Sequence, residues 1–162
     1  MKKIQTLFAS MMMSVALIAS CSMLTSCGDD DEPSNGGKPV AEEVAGTYTG
    51  SLTTTVMGES DTVDGYSLKI TKTSDNTVTI ETPANGQPPM ALPSITVENV
   101  KVSKDANGNY SFAEISANGT IGEKKYSITL AGTGKANQVT VNYAVQYGNM
   151  PMSINFTFDG KK

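Results

Sequence analysis

The chain has 162 residues and a net charge of −4, and it contains no histidine and no tryptophan. Its basic residues are all lysine, and both cysteines lie within the first 27 positions. This composition excludes Cys–His and Ser–His–Asp catalysis and the usual zinc sites. The acidic balance argues against a nucleic-acid partner, and no motif implies a cofactor or a metal. The length fits one domain after a leader.

Residues 1–26 are predicted to be an export signal. Two lysines follow Met1, an apolar stretch runs from Leu7 to Leu24, and small residues then precede a cysteine. This order of segments is typical of a cleaved signal peptide. A membrane-spanning anchor is the alternative, because the stretch nearly reaches the length of a span, but serines and threonines dilute it.

Two cysteines, Cys21 and Cys27, each follow a segment that resembles the bacterial lipobox. An acidic run, Asp29 to Glu32, comes just after Cys27 and resembles the surface-export signal of Bacteroidetes lipoproteins. We therefore predict acylation at Cys27. A disulfide between the two cysteines is the alternative, but cleavage before Cys27 would remove Cys21. Several acyl chains on Cys27 would hold the protein in the outer membrane, at the cell surface or on the periplasmic face.

Residues 27–39 are predicted to be the lipidated cysteine and a flexible acidic tether. The segment after Cys27 is polar apart from two prolines, so it buries too little surface to offset the entropy of ordering. A calcium site is the alternative reading of its acidic cluster. The segment lacks the loop spacing and the distal bidentate glutamate that such a site needs.

From residue 40 to residue 162, alternation with a period of two predicts an all-β domain of eight strands. Slips in this alternation near Glu98–Asn99 and between Phe112 and Ile115 predict β-bulges. The proline-rich segment Pro83–Pro93 predicts the longest irregular loop, in which Met90 and Leu92 form a lid or plug one end. The predicted strands cover residues 46–57, 65–73, 77–81, 94–104, 109–121, 125–131, 138–147 and 150–158.

Short connections between these strands predict antiparallel hairpins. An eight-stranded up-and-down meander leaves two open edges unless it closes into a barrel. A two-sheet Greek-key sandwich is the alternative, but its crossing connections need longer links. The predicted fold is therefore an eight-stranded antiparallel up-and-down β-barrel after a signal peptide and a flexible linker.

The segment Ala45–Gly46–Thr47–Tyr48–Thr49–Gly50, with the lipobox and acidic tether before it and the meander after it, carries a family resemblance. Together these features resemble the calycin-like β-barrel lipoproteins of gut Bacteroidetes, which are distant relatives of the lipocalins in fold. Gly46–Thr47–Tyr48 takes the place of the lipocalin Gly-x-Trp, and the arginine that packs over that tryptophan is absent. The resemblance implies a lipocalin-like barrel in the cell envelope more than a particular activity.

Tyrosines on the inward face of the predicted strands are the candidate ligand-binding residues, and core packing is the alternative role. They are Tyr48, Tyr66, Tyr126, Tyr143 and Tyr147. Glu98 and Glu114 lie beside the slips in alternation, where a carboxylate pair would suit a hydrolase, but we expect both to face solvent. Asp61–Thr62–Val63 resembles the Bacteroides O-glycan acceptor.

These observations predict a non-enzymatic, lipid-anchored envelope protein. We expect it to act as a monomer whose barrel binds a small apolar ligand or a protein partner. An accessory subunit of a surface nutrient or glycan uptake complex is a second hypothesis. A carboxylate-based hydrolase is the third.

Overall fold

The computed structural model describes residues 37–88 and 91–162, which form a short helix followed by a closed ring of strands. Every strand pairs antiparallel with the next, and β1 pairs with β8 to close the ring. The predicted eight-stranded up-and-down barrel is confirmed. The elements are α1 (Val40–Val44), β1 (Gly46–Val56), β2 (Glu59–Lys72), β3 (Thr77–Glu81), β4 (Thr96–Lys104), β5 (Asn109–Ile121), β6 (Lys124–Lys135), β7 (Gln138–Tyr147) and β8 (Ile154–Lys161).

The predicted signal peptide, Cys27 and the first part of the predicted tether lie outside the described residues. Among residues 37–88 and 91–162, no helix has the length and apolarity needed to cross a membrane.

The seam between β1 and β8 depends on glycine at position 50. Gly50 pairs with Gly160, and a Cβ atom placed on Gly50 would collide with the backbone oxygen of Asp159. The close approach of the two backbones at this point lets the sheet curve back on itself. The seam therefore removes both sheet edges.

The two ends of the barrel differ. At the helix end, α1 lies across the barrel with Ala41 and Val44 fully buried, and the Ala41 N–H donates to the Asp75 oxygen at 3.1 Å. The turn after β2 and the end of the chain lie at this end too. The turn after β1, the connection before β8 and the loop of residues 82–95 lie at the opposite end, here named the open end. The helix therefore caps the core at one end, and buried residues of the 82–95 loop cover it at the open end.

The helix and several strand bounds differ from the sequence prediction. The hydrophobic pattern of the sequence did not reveal α1, because five residues are too few to show helical periodicity. The strand β2 begins at Glu59 and not at residue 65, because its first half is exposed on both faces and shows no alternation. The strand β6 continues through Gly132 and Gly134 to Lys135, since both glycines fit under neighbouring backbone oxygens. The strand β8 begins at Ile154 and not at residue 150.

Both predicted bulges are confirmed. In the first bulge, Val78 and Ile80 of β3 pair with Val100 and Val97 of β4. The strand β4 therefore has one more residue than β3 between the two pairs, and Asn99 in this segment takes a positive φ of 59°. The second register shift falls between Phe112 and Ile115. In the 82–95 loop, Leu92 is buried and plugs the core, whereas Met90 lies outside the described residues.

Candidate functional site at the open end

The hairpin of β1 and β2 overhangs the rest of the open end. The strand β2 pairs with β3 only through Lys69 to Lys72, so its first half projects past β3. Between the inner face of this overhang and the 82–95 loop is a cleft of about 780 Å³, here named the open-end cleft. It is lined by Leu52, Thr54, Val56, Met57, Glu59, Ser60, Asp61, Val63, Tyr66 and Asn85.

A hydrogen-bond chain holds one wall of the cleft together. The Tyr66 hydroxyl donates to Asn85 Oδ1 at 2.6 Å, and Asn85 Nδ2 donates to Thr54 Oγ1 at 3.0 Å. The Gly86 N–H also donates to Asn85 Oδ1, at 2.7 Å. Because these bonds connect β1, β2 and the loop, they fix the position of the loop against the overhang.

Tyr143 lies in the same inner layer as Thr54, which lines the cleft. The register pairs Phe156 with Thr54 on one side and with Tyr143 on the other, and the Tyr143 ring stacks on Phe156 at 4.9 Å between centroids. Tyr143 is 3 % exposed, and its hydroxyl has no hydrogen-bond partner among the described residues. Burial raises the pKa of Tyr143 far above its ordinary value, and Tyr66 acts in the same direction. The phenol is thus a neutral group with an unused donor.

The entrance of the cleft is apolar. Val56, Met57 and Val63 line it and are 38, 84 and 47 % exposed. Met152, in the connection before β8, is a further exposed apolar side chain of the same end. Large apolar side chains left in water at one place on a surface mark a contact site.

Two carboxylates also face the cleft. The register pairs Glu59 with Val56 and Asp61 with Thr54, so both acids share the inward side of the hairpin. No lysine lines this cleft among the described residues. Lys124 belongs to the opposite wall, where its Nζ lies 5.4 Å from the centroid of the Tyr147 ring.

The five tyrosines named from the sequence do not form one cluster. Tyr66 lines the cleft and Tyr143 lies in the inner layer beside it. Tyr126 and Tyr147 pair across β6 and β7 at the opposite wall and are half-buried. Tyr48 is fully buried near the helix end, where its hydroxyl donates to the Val44 oxygen at 2.8 Å and burial raises its pKa to about 12.

Other candidates from the sequence lie elsewhere. Glu98 and Glu114 are exposed, as expected, and neither lines the cleft. Thr62 is exposed, and its hydroxyl is 2.8 Å from that of Thr53. Within residues 37–88 and 91–162, no group of three or more Asp, Glu, Cys or His side chains has a metal-binding arrangement.

Sequence reasoning missed Thr54, Glu59, Asp61 and Asn85. Thr54 and the two acids have the composition of an ordinary solvated hairpin, and only the pairing register turns them toward the cleft. The prolines of the 82–95 segment predicted an irregular loop, and Asn85 lies in it. No local sequence signal shows that the Asn85 side chain reaches β1 and β2.

The fold and the cleft define a small barrel protein with a candidate binding site at one open end. The chain belongs to the family of calycin-like beta-barrel domains, whose model matches residues 44–161. It is also similar to the crystal structure of a "putative outer membrane protein" from Bacteroides fragilis, with 28 % identity and a TM-score of 0.67. That match covers 78 % of this chain and 54 % of the other, so this chain spans about half the length of its structural relative. No curated protein matches the chain.

Proposed function

We propose that this protein is a monomeric, non-enzymatic lipoprotein of the outer membrane whose barrel binds a small apolar ligand in the open-end cleft. One observation carries the proposal: exposed apolar side chains lead into a cleft whose Thr54 belongs to the same inner layer as Tyr143, a buried phenol without a hydrogen-bond partner in the described residues. Ligand sites commonly combine apolar walls with a few placed polar groups. The Tyr66–Asn85–Thr54 chain supplies the fixed wall that such a site needs.

The position of the cleft, at the end of the barrel opposite to α1, is compatible with a lipid anchor at Cys27. The segment that follows Cys27 joins the barrel at the helix end, through Pro39 and α1. The cleft lies at the opposite end and so opens away from the point where the chain enters. A ligand would reach it without passing the anchor. The description of the Bacteroides fragilis relative as a "putative outer membrane protein" supports a location in the outer membrane.

A binding role also suits the hydroxyl groups of the cleft. The hydroxyls of Thr54 and Tyr66 are both held by the side-chain amide of Asn85. In the described part of the chain, these hydroxyls bond to an amide, which does not activate a nucleophile as a general base does. Such an arrangement orients a ligand.

The test is the binding of N-phenyl-1-naphthylamine, a neutral fluorescent apolar probe, to residues 36–162, which form one compact unit. We expect saturable binding that Val63→Ser weakens several-fold. Met152→Ser is the matched control, because it removes a similarly exposed apolar side chain of the same end outside the cleft. No saturable binding, or equal losses in the two variants, would overturn the proposal.

A further inference from the structure

The orientation of the Asn85 side-chain amide at the open-end cleft is fixed by a neighbouring backbone group. The Gly86 N–H can only donate, and it lies 2.7 Å from Asn85 Oδ1, so this position must hold the amide oxygen and not the nitrogen. The Tyr66 hydroxyl donates to the same oxygen at 2.6 Å. The amide nitrogen is therefore turned toward Thr54, whose Oγ1 lies 3.0 Å from it.

This orientation gives the hydrogen-bond chain a direction. Tyr66 donates to Asn85 and Asn85 donates to Thr54, so the Thr54 hydroxyl is the acceptor at the end of the chain. A threonine hydroxyl also carries one hydrogen, which a bond accepted from an amide does not use. Within the described residues, the Thr54 hydroxyl donates no hydrogen bond. The chain therefore ends in an unused donor.

This donor belongs to a side chain that lines the cleft. Thr54 is half-buried, and its neighbours two positions away on β1, Leu52 and Val56, line the cleft too. Because alternate residues of a strand share a face, the three side chains form one stripe with a single hydroxyl between two aliphatic groups. Apolar walls with a few placed polar groups are typical of ligand sites.

A neutral oxygen acceptor is the ligand group that matches this wall. A hydrocarbon would displace water from the Thr54 hydroxyl and leave the donor without a partner, which costs free energy. A carboxylate would accept the bond, but Glu59 and Asp61 line the same cleft, and no lysine lines it among the described residues. A third negative charge beside these two is unfavourable. A carbonyl oxygen accepts the bond without adding charge.

We infer that the open-end cleft takes apolar compounds with a neutral carbonyl group, such as ketones or esters, and that the Thr54 hydroxyl donates to the carbonyl oxygen. This inference rests on the proposed function, because it names the ligand class of the same cleft. The hydrocarbon part of the ligand lies against Leu52, Val56 and Val63. Asn85 is a positioning residue: by donating to the Thr54 oxygen, it leaves the Thr54 hydrogen free for the ligand.

The experiment compares benzophenone with diphenylmethane, in which a methylene group replaces the carbonyl group between the same two rings. Each compound displaces N-phenyl-1-naphthylamine from residues 36–162, and the ratio of the two affinities is measured. The two compounds share their apolar contacts, so a change in the ratio reports on the carbonyl group. We expect Thr54→Val to shift the ratio about five-fold toward diphenylmethane, the usual effect of losing one neutral hydrogen bond. Thr54→Ser keeps the hydroxyl and should keep the ratio.

Asn85→Asp tests the direction of the chain without changing Thr54. A carboxylate has no hydrogen, so the Thr54 hydroxyl becomes the donor to its second oxygen, while Tyr66 and Gly86 still donate to the first. The free donor disappears, and the ratio should shift as far as in Thr54→Val. The measurement is made at about pH 8, well above the ordinary pKa of a carboxyl group.

Thr55→Val is the matched control, because Thr55 lies on the opposite face of β1, where its hydroxyl is 2.8 Å from that of Ser60. It should leave the ratio unchanged. If Thr54→Val or Asn85→Asp keeps the wild-type ratio, the Thr54 donor is not used and the inference is overturned, although apolar binding stands. An equal shift in Thr55→Val or Thr54→Ser would overturn it too. If neither compound binds, the proposed function fails as well.

Discussion

The hydroxyl of Tyr110 donates a hydrogen bond of 2.7 Å to the carboxylate of Glu43, which ties β5 to α1 at the helix end. Lys104 Nζ donates to the same oxygen at 2.6 Å, and Lys162 Nζ donates to the Glu43 backbone oxygen at 2.7 Å. These bonds join positions far apart in the chain. Glu43 is therefore the residue that attaches α1 to the strands at the helix end of the barrel.

Replacing Glu43 by Gln should lower the free energy of unfolding by about 1 kcal/mol at pH 7, since hydrogen bonds to a charged group are lost. The bonds from Lys104 and then Tyr110 lower the pKa of Glu43 below its ordinary value. Its stabilising effect is thus present above the unfolded-state pKa and is lost as the pH falls through the folded-state pKa. Urea unfolding from pH 7 down to pH 3 should show the gap between wild type and variant closing with acid.

The neighbouring Glu42 provides the control for that measurement. Its carboxylate is about half exposed and lies 3.6 Å from Lys38 and 3.9 Å from Lys72. Exposed pairs of this kind contribute little, so Glu42→Gln should change the stability by less than about 0.5 kcal/mol. A gap for Glu43→Gln that persists at pH 3, or an equal loss for Glu42→Gln, would contradict the role of Glu43.

Alternation along the sequence was enough to predict the barrel, because most inward positions are apolar and buried. Val139, Val141 and Val145 of β7 show this pattern, and the slip at Glu98–Asn99 even located a bulge. The first half of β2 escaped prediction for the converse reason. There the inward side faces the cleft and not the core. Two of its residues, Glu59 and Asp61, are acidic and Val63 is exposed, so no alternation of buried and exposed residues appears.

The candidate site was predicted only in part. Tyr66 was found because its inward parity is visible in the sequence. The role of Asn85 depends on where a long loop folds back, and the missing partner of Tyr143 depends on its three-dimensional surroundings. Tyr48 has the same parity as Tyr66, yet α1 provides its hydrogen-bond acceptor. Which inward tyrosine lines the cleft is therefore decided by tertiary contacts that periodicity does not encode.

The two buried phenols should respond oppositely to the loss of a hydroxyl. Tyr48→Phe removes the donor to Val44 and should cost about 1 kcal/mol. Tyr143→Phe removes an unpartnered hydroxyl, so it should leave the free protein equally stable or stabilise it by up to about 1 kcal/mol. Urea unfolding of both variants without added ligand checks this. A loss in Tyr143→Phe equal to that in Tyr48→Phe would show that its hydroxyl is already satisfied.

Closure of the barrel should fail when Gly50 gains a side chain. In Gly50→Ala the new methyl group meets the Asp159 backbone, which cannot give way without separating β1 from β8. We expect a loss of roughly 2 kcal/mol or more and faster amide exchange along β8. Ser51→Ala, at the next position on the outer face, should change little. Unaltered exchange in β8 would mean that the seam has more room than the close backbone approach indicates.

Met57 should combine a cost in stability with a gain in binding. It takes a positive φ of 52° in the two-residue turn before Gly58, a conformation that suits asparagine better than methionine. Met57→Asn should therefore raise the free energy of unfolding by about 0.5 kcal/mol while weakening N-phenyl-1-naphthylamine binding several-fold. Ala136→Asn is the matched control, because Ala136 has a φ of 51° in the hairpin turn after β6, at the helix end. It should give a similar gain in stability with unchanged binding, and equal effects of both variants on the probe would exclude Met57 from the entrance of the cleft.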